Sequence, residues 1–541
     1  MCWGWTASES SQQARRLIWS CSTTTSWCGV CCEAVDGSTS TARITVRGSP
    51  VRPVTIPALR EWQPGAGSFE PGSPVRVVLA ATLSETAEVF ARDLRALGVD
   101  VEVIVQGGPP ARGDVQLRLD AADPGLGAEG YRLELGQAAV ITANTAAGVF
   151  YGTRSLLQLL AQPEPVPAGV ARDWPRYGER GLMVDIGRKH FDYDWLAARV
   201  RELAYLKLNR LHLHFTEDIG WRIESDRNPP LHAEQHLRKQ QVRDLVALAA
   251  RHHITVVPEI DLPGHMGAAL APHPEFQLRD ASGTANPGKL DYTIDGARQF
   301  VTELIEEYLP LFPGHLWHTG ADEFLGPAHY ARYPQLERYA KQTYGSDANA
   351  KDGVLGLLNE VNDLVRGRGK TLRMWGDGLG GGRAVGVDPS VDVEWWTDIT
   401  PLSELAPVPT PRQVLDAGHR IHNASWYPTY YTNLPAPEPP RPDLPGMYEK
   451  WRVHRFRGQR YVDGTVGAPY HDIDPAEAAN LGSTLHVWND EPEQETAAEI
   501  ARGIHQRLRV LAQHTWESPC LVPSYAEFEP LIIRVGDAPG A

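Results

Sequence analysis

The chain has 541 residues and a formal net charge of -15 at pH 7, a length that predicts a large domain with a smaller partner domain. The negative charge disfavours nucleic acids and anionic membrane surfaces as partners, and no apolar run approaches the roughly 20 residues that a membrane-spanning helix needs. Five of the six cysteines fall within the first 32 residues, so no disulfide framework is predicted for the folded body.

Residues 1–50 are interpreted as a disordered or non-physiological leader. Cys28, Cys31 and Cys32 mimic part of a zinc site, but no second Cys or His pair follows at the required spacing. The leader also lacks the basic start, continuous apolar stretch and small-residue cleavage site of a secretory signal. We therefore expect no metal here and a cytoplasmic protein, with secretion as the alternative if the true start differs.

Residues 51–170 predict a small α+β domain without a catalytic role. Five short strands run from VRVVLA at Val75 to AAVITAN, which ends at Asn144, and two amphipathic helices accompany them. This pattern predicts an open sheet with helices on one face. The Pro-rich stretch from Pro163 to Pro175 is interpreted as the linker that follows.

Residues 176–520 predict a (β/α)₈ barrel, because short apolar runs alternate with longer amphipathic helices. The eight runs are GLMVDI at 181, LHLHF at 211, ITVVPEI at 254, HLWHTG at 315, TLRMW at 371, VDVEWW at 391, RIHNAS at 420 and STLHVW at 483. Such a barrel places its chemistry at the carboxyl ends of the strands. Residues 521–541 are interpreted as a C-terminal tail.

The residues at the ends of these runs and directly after them are mostly acidic or aromatic, with an arginine and two histidines among them. They include Asp185, Arg188, His214, Glu217, Asp218, Glu259, Asp261, His265, Asp322, Glu323, Trp375, Asp377, Trp395, Trp396, Trp426, Tyr430, Tyr431, Trp488, Asp490 and Glu491. Of the adjacent pair Trp395 and Trp396, only one can face the barrel's cup, because neighbouring side chains of a strand point to opposite sides. The sequence therefore predicts an acidic cup with aromatic walls.

The segment HTGADEF at 318–324 supplies the paired carboxylates that glycosidic bond cleavage requires. Adjacent side chains on a strand diverge, so Asp322 and Glu323 do not fit the ordinary geometry of a nucleophile opposite an acid. If the substrate carries a 2-acetamido group, its own carbonyl oxygen can attack the anomeric carbon. One carboxylate then orients the amide and the other acts as the acid, which is substrate-assisted catalysis.

The motifs HTGADE and PEIDLPGH, the second at Pro258–His265, resemble those of glycoside hydrolase family 20, the β-N-acetylhexosaminidases. This resemblance covers nearly everything after the leader, and segments such as AAGVFYGTRSLLQLL resemble the family's partner domain. It implies a retaining exo-β-N-acetylhexosaminidase with Glu323 as general acid and base and Asp322 as the residue that holds the acetamido N–H. Arg188 would bind the 3- and 4-hydroxyls, and His265 would tune the acid together with a neighbouring carboxylate.

The same resemblance implies the rest of the pocket and shows where this chain departs from the family. Trp375, Trp396 and Trp488 would enclose the sugar, Tyr431 would donate to the acetamido oxygen, and Asp490 or Glu491 would bind the 4- and 6-hydroxyls. The family usually has Thr or Ser, two aspartates and Gln where this chain has Thr216, Glu217, Asp218 and Ile219. Glu217 is therefore favoured over Asp218 as the partner of His265. Asn433 replaces the usual Asp after the tyrosine.

Two other functions are weighed against the hexosaminidase. The pair His212 and His214 could begin the metal site of an amidohydrolase-like enzyme, although Arg188 and the tryptophans would then have no task. A catalytically weakened sugar-binding barrel is the other alternative. No cofactor is predicted, and the expected partner is a small-molecule or oligosaccharide substrate with a terminal N-acetylhexosamine. A homodimer stays open, as does the role of the loop from Leu434 to Leu444, a lid or a subunit contact.

Overall fold

The computed structural model describes residues 52–105, 108–397, 408–433, 443–457, 461–462, 465–466 and 470–541. The predicted leader and most of the loop from 434 to 444 lie outside the described residues. Among the helices of the described part, none is both long and apolar enough to cross a membrane.

The N-terminal part of the described chain is a mixed seven-stranded sheet with two helices. Its strands are β1 (Glu61–Phe69), β2 (Val75–Leu79), β3 (Val101–Val105), β4 (Val115–Leu119), β5 (Tyr131–Leu135), β6 (Ala139–Ala143) and β7 (Val166–Asp173), in the spatial order β1-β7-β5-β6-β4-β2-β3. Helices α1 (Ser84–Ala96) and α2 (Ala146–Leu160) contact each other and the sheet. The five predicted strands are all present.

The linker predicted at 163–175 was wrong, because these residues form strand β7 between β1 and β5. Pro167 and Gly169 are typical of loops, which concealed the strand in the sequence. In the structure they lie opposite the irregular part of β1 between Pro64 and Ser68, where the pairing register shifts. A proline is tolerated at such a bulge because no regular ladder hydrogen bond is lost there.

The rest of the described residues form the predicted barrel and three short two-stranded ribbons. Its strands are β8 (Glu179–Asp185), β9 (Arg210–His214), β10 (Thr255–Leu262), β11 (Gln277–Arg279), β12 (Ala285–Leu290), β13 (Leu316–Gly320), β14 (Thr371–Trp375), β15 (Asp392–Trp395), β16 (Ile421–Asn423), β17 (Tyr430–Thr432), β18 (Arg455–Phe456), β19 (Tyr461–Val462), β20 (Thr465–Val466), β21 (His471–Asp472) and β22 (Asn480–Trp488). Strand β22 pairs in parallel with both β8 and β16, which closes the barrel. Each of the eight predicted runs overlaps one barrel strand, so the fold prediction is confirmed.

The helices that follow the strands cover the barrel. They are α3 (Tyr193–Tyr205), α4 (Lys239–Arg251), α5 (Gly267–Leu270), α6 (Asp295–Tyr308), α7 (Pro334–Tyr344), α8 (Ala350–Arg366), α9 (Pro411–Asp416), α10 (Trp426–Thr429), α11 (Leu444–Glu449), α12 (Ala497–Trp516) and α13 (Tyr525–Val535). The predicted C-terminal tail thus contains helix α13, whose Phe528 and Ile532 are buried. The hydroxyl of Tyr205 on α3 donates to the carbonyl of Val535 at 2.7 Å and ties α13 to the barrel.

Buried charges join the small sheet to the barrel. Asp173, at the end of β7, accepts hydrogen bonds from Lys207 Nζ at 2.8 Å and from the Tyr131 hydroxyl at 2.6 Å. Its other oxygen accepts from Trp516 Nε1 at 2.8 Å and from the backbone N–H of Arg60 at 2.9 Å. Because Lys207 and Asp173 are both fully buried, the pair is stable only where each charge is compensated.

Candidate active site

A cavity of about 210 Å³ opens among the residues that follow the barrel strands. The predicted site residues that line it are Arg188, Glu217, His265, Asp322, Glu323, Trp375, Trp396, Trp488 and Asp490. Trp426, Tyr430 and Thr432 line it as well. Residues from strands far apart in the chain meet here because the carboxyl ends of parallel barrel strands share one rim.

The turn after β13 directs both acids of the HTGADEF segment to the cavity. Gly320, Ala321 and Glu323 have φ angles of 65°, 77° and 47°, so the chain leaves the extended form in which neighbouring side chains would diverge. A Cβ atom at residue 320 would lie 1.8 Å from Oδ1 of Asp261, which leaves room only for glycine. The same Oδ1 accepts the N–H of Ala321 at 3.1 Å and holds the turn.

Asp322 presents a buried carboxylate oxygen that has no hydrogen-bond partner among the described residues. Its Oδ1 makes no hydrogen bond to any of the described residues, and its Oδ2 lies 3.8 Å from Nε2 of His265. Burial raises the pKa of Asp322, an effect that His265 opposes and the charge of Glu323 reinforces. An unpaired buried acceptor is energetically costly, so Oδ1 is suited to receive an N–H group from a ligand.

Glu323 is fixed through its backbone while its carboxylate faces the cavity opening. Its N–H donates to Oδ2 of Asp377 at 2.9 Å, and its carbonyl accepts from Lys289 Nζ at 2.7 Å. The His265 ring holds the pKa of Glu323 below its usual value, against the effect of burial, and the Lys289 charge acts in the same direction. His265 and Lys289 thus both favour the ionised form of the Glu323 carboxylate.

His265 lies between carboxylates. Its Nδ1 is 3.1 Å from Oε1 of Glu217, and its Nε2 is 3.5 Å from Oε2 of Glu323. Burial disfavours the charged ring, but Asp322, Glu217 and Glu323 outweigh that effect and raise the pKa of His265 well above its usual value. The three carboxylates therefore favour the protonated ring, whose Nε2 faces the carboxylate of Glu323.

Glu217, and not Asp218, reaches His265. The Glu217 carboxylate also pairs with Arg188 and lies 3.5 Å from Nε2 of His214. Burial alone would raise the pKa of Glu217, but its contacts with His214, His265 and Arg188 hold that pKa far below the usual range. Asp218 is exposed, and its Oδ1 accepts the N–H of Gly267 at 2.9 Å outside the cavity.

Arg188 is held by two carboxylates and an aromatic ring. Its Nη1 donates to Oδ2 of Asp185 at 3.0 Å, its Nη2 contacts Glu217, and its guanidinium carbon lies 5.5 Å from the centre of a Trp488 ring. Burial works against the charge, but Asp185, Glu217 and Asp490 outweigh it and raise the pKa of Arg188. A fixed, permanently charged fork of this kind can bind neighbouring hydroxyl oxygens.

Tryptophans form the walls of the cavity, and hydrogen bonds orient two of them. Nε1 of Trp375 donates to Glu259 at 2.7 Å, and Nε1 of Trp396 donates to Oδ1 of Asp377 at 2.8 Å. Trp395 faces the opposite side of β15, where its Nε1 donates to the carbonyl of Pro409 at 2.9 Å. Trp396 is therefore the member of this pair that faces the cup.

The prediction that Tyr431 lines the pocket was wrong, because Tyr430 does so instead. The ring of Tyr430 stacks on Trp396 with a centroid distance of 6.3 Å and an interplanar angle of 12°. The hydroxyl of Tyr431 donates to Glu495 at 3.0 Å and lies against Gly503 on α12, outside the barrel. Successive side chains of β17 point to opposite sides, which separates the two tyrosines.

Glu491 is the second predicted residue that the cavity does not include. Its side chain is exposed, while its backbone N–H donates to Oδ1 of Asn433 at 3.0 Å and its carbonyl accepts from Nδ2 of Asn433 at 2.7 Å. Of the alternatives Asp490 and Glu491, only Asp490 lines the cavity. Asn433, the departure noted in the sequence, thus fixes the loop that carries Asp490.

The histidines of the HxH segment contact a carboxylate beneath the cavity. Nε2 of His212 and Nδ1 of His214 lie 2.9 Å and 2.8 Å from Oε2 of Glu259. The other oxygen of Glu259 accepts from Trp375. Burial raises the pKa of Glu259, but His318, His214 and His212 outweigh it and hold the pKa well below its usual value. These contacts give the HxH histidines a structural task in the barrel interior.

The comparison with protein families identifies both parts of the fold. The family model described as "Glycosyl hydrolase family 20, catalytic domain" matches residues 177–519, more than half of the chain, and "Glycosyl hydrolase family 20, domain 2" matches residues 52–174. The chain belongs to glycosyl hydrolase family 20. The resemblance seen in the motifs HTGADE and PEIDLPGH is therefore confirmed.

Individual proteins of known name are similar to this chain in sequence and structure. A lacto-N-biosidase of Bifidobacterium bifidum is 29% identical over 487 residues, which cover 89% of this chain and 41% of the relative. A beta-hexosaminidase of Porphyromonas gingivalis is 30% identical over 380 residues, 63% of this chain and 47% of the relative. This chain thus spans less than half the length of either relative. The Streptomyces plicatus N-acetyl-beta-hexosaminidase structure superimposes with a TM-score of 0.68 at 26% identity, covering 91% of this chain and 96% of that chain.

Two features of this family 20 site could not be read from the motifs. Tyr430 stands beside Tyr431 after a turn whose Tyr427 and Pro428 have non-helical angles, so the sequence carries no signal for which tyrosine faces inward. Asp377 follows the TLRMW run and was a strand-end candidate without a role. Its contacts with Glu323 and Trp396 depend on the barrel closing correctly.

Proposed function

We propose that this chain is a retaining exo-β-N-acetylhexosaminidase that removes terminal N-acetylhexosamine residues with the help of the substrate's own acetamido group. The observation that carries the proposal is the buried, unpartnered Oδ1 of Asp322 beside Glu323 in one tryptophan-walled cavity. A carboxylate oxygen aimed at a ligand N–H is what such a mechanism requires. Family membership supports the same reaction class.

In the first step the acetamido N–H donates to Asp322, and the amide carbonyl oxygen attacks the anomeric carbon. The bond between that carbon and the leaving oxygen breaks, and Glu323 gives its proton to the leaving oxygen. The charge of Asp322 stabilises the resulting oxazolinium ion. Tyr430 takes the role first assigned to Tyr431, donation to the acetamido oxygen, and Trp375, Trp396 and Trp488 enclose the acetamido group and the sugar.

In the second step water attacks the anomeric carbon and gives a proton to Glu323, and the oxazolinium ring opens. Two displacements on the same carbon retain its configuration. The proton that Glu323 needs for the first step is available from His265, whose Nε2 lies 3.5 Å away. Glu217 keeps that ring charged, and Arg188 and Asp490 bind hydroxyls at the far side of the sugar.

The test is hydrolysis of 4-nitrophenyl N-acetyl-β-glucosaminide and its galacto epimer. We expect release that a thiazoline analogue of the oxazolinium ion blocks and that EDTA does not affect. The matched control substrate is 4-nitrophenyl β-glucoside, which lacks the acetamido group and should not be cleaved. Binding of N-acetylglucosamine without any release would favour the sugar-binding barrel, and release that EDTA abolishes would favour the metal-dependent alternative.

A second candidate function is the release of lacto-N-biose. It is favoured by the lacto-N-biosidase relative, which aligns over 89% of this chain. Parallel assays with 4-nitrophenyl β-lacto-N-bioside decide between the two activities. A higher kcat/KM on the disaccharide glycoside than on the N-acetylglucosaminide would assign the chain to this second activity, with the same Asp322 and Glu323 chemistry.

A further inference from the structure

Asp377 accepts hydrogen bonds from Glu323 and Trp396, both of which line the cavity, but the reaction proposed above does not use Asp377. The residue follows β14 and is 6% exposed. Its Oδ2 accepts the backbone N–H of Glu323 at 2.9 Å, and its Oδ1 accepts Nε1 of Trp396 at 2.8 Å. A single carboxylate therefore connects the backbone of the acid to the indole of a cavity wall.

The backbone of Glu323 needs such support. Its φ of 47° lies in the left-handed region, which costs a residue with a side chain about 1–2 kcal/mol. Asp377 holds the N–H of Glu323, and Lys289 holds its carbonyl at 2.7 Å. Because the carboxylate of Glu323 is partly exposed and its contact with His265 is as long as 3.5 Å, the backbone contacts fix where the acid points.

The ring of Trp396 is oriented by the other oxygen of Asp377. The indole can rotate about two bonds, and the hydrogen bond from Nε1 selects one orientation. In that orientation the ring lies nearly parallel to Tyr430, at an interplanar angle of 12°. The separation between Glu323 and the ring of Trp396 is thus set by the side chain of Asp377.

We propose that Asp377 is a positioning residue that holds Glu323 and Trp396 at a fixed separation for the reaction; this inference rests on the proposed function. Both partners are donors, and each occupies a different oxygen of Asp377. A carboxylate can accept on both oxygens, whereas an asparagine amide offers one oxygen and one NH₂ group. In Asp377→Asn the amide NH₂ group therefore faces either the N–H of Glu323 or the indole N–H of Trp396, whichever way the amide is turned, and that hydrogen bond is lost.

The experiment compares Asp377→Asn with the wild-type chain on N-acetyl-β-glucosaminides with poor and activated leaving groups, 4-methoxyphenyl and 2,4-dinitrophenyl. A misplaced general acid slows the hydrolysis of substrates with poor leaving groups most. We therefore expect kcat/KM to fall about 100-fold on the 4-methoxyphenyl glycoside and about 10-fold on the 2,4-dinitrophenyl glycoside. Trp396→Phe removes the indole N–H together with part of the ring that forms the wall, while Asp377 and its contact with Glu323 stay in place. It should lower kcat/KM equally on both substrates and weaken thiazoline inhibition.

Glu307→Gln is the control for the loss of a buried carboxylate that accepts hydrogen bonds on both oxygens but lies outside the cavity. One oxygen of Glu307 accepts the N–H of Asp226 and Nζ of Lys239, each at 2.6 Å, and the other accepts the Ser225 hydroxyl at 2.8 Å. None of these four residues lines the cavity. This variant should have a lower thermal midpoint, and any loss of kcat/KM should be the same for both leaving groups. Equal losses of Asp377→Asn on both substrates, or losses like those of Glu307→Gln, would overturn the inference.

Amide hydrogen exchange tests the same contact without any substrate. A peptide that covers residues 321–325 should exchange faster in Asp377→Asn than in the wild type, because the N–H of Glu323 loses its acceptor, and Glu307→Gln should leave it unchanged. Unchanged exchange in Asp377→Asn would reject the positioning role even if the wild type is fully active. An inactive wild type would reject the proposed function, while the exchange result would still decide whether Asp377 holds Glu323.

Discussion

Oε1 of Glu217 lies 3.1 Å from Nδ1 of His265, and the carboxylate of Glu217 at the same time pairs with Arg188. One negative charge therefore serves both the histidine beside the acid and the arginine assigned to the sugar hydroxyls. Binding of the sugar and protonation of the acid are expected to depend on each other through Glu217.

Replacement of Glu217 by Gln is expected to lower kcat/KM about 10- to 100-fold, because a hydrogen bond to a charged group contributes about 1.5–3 kcal/mol. The charge of Glu217 contributes to the raised pKa of His265. Without it that pKa falls, His265 loses its proton at lower pH, and the alkaline limb of the kcat/KM profile moves to lower pH. The profile of Asp218→Asn, a change at an exposed side chain outside the cavity, serves as the control and should match the wild type.

Glu323→Gln is expected to lose activity in proportion to how much the leaving group needs a proton. General acid catalysis contributes about 10²–10⁴-fold, so hydrolysis of a 4-methoxyphenyl glycoside should fall by that factor and that of a 2,4-dinitrophenyl glycoside much less. The alkaline limb of the pH profile should also disappear. Glu491→Gln, an exposed position outside the cavity, is the control. An unchanged pH profile in Glu323→Gln would remove this residue from the acid role.

The sequence was sufficient to predict the barrel and most of the site, because both depend on local patterns. The eight apolar runs appear as strands, and the residues directly after them, among them Arg188, His265 and Asp322, meet at one rim. The prediction failed where side-chain direction depends on irregular backbone. Strand β7 contains Pro167 and Gly169 opposite a bulge, so its sequence looks like a loop. The irregular turn before β17 leaves no sequence signal for which of the two tyrosines of that strand faces the barrel interior.

Tyr430→Phe and Tyr431→Phe form a pair of variants that separates the inward tyrosine from the outward one. A hydrogen bond to a charge-bearing group contributes about 1.5–3 kcal/mol, so Tyr430→Phe should lower kcat/KM about 10- to 100-fold and weaken thiazoline inhibition similarly. Tyr431→Phe removes the contact with Glu495 outside the cavity and should leave inhibition unchanged. Weaker inhibition in Tyr431→Phe alone would restore the original assignment from the sequence.

Lys207 supports the junction of the two parts of the fold, and its replacement should affect stability rather than catalysis. Its Nζ donates to Asp173 at 2.8 Å and to the Tyr131 hydroxyl at 2.9 Å, and both members of the ion pair are fully buried. Lys207→Met leaves the charge of Asp173 buried without its cation, which costs about 3 kcal/mol. We expect the thermal midpoint to fall while KM for the N-acetylglucosaminide stays unchanged. Lys341→Met removes an exposed partner of Glu337 and should not alter the midpoint, so equal midpoints for the two variants would show that the buried pair does not stabilise the junction.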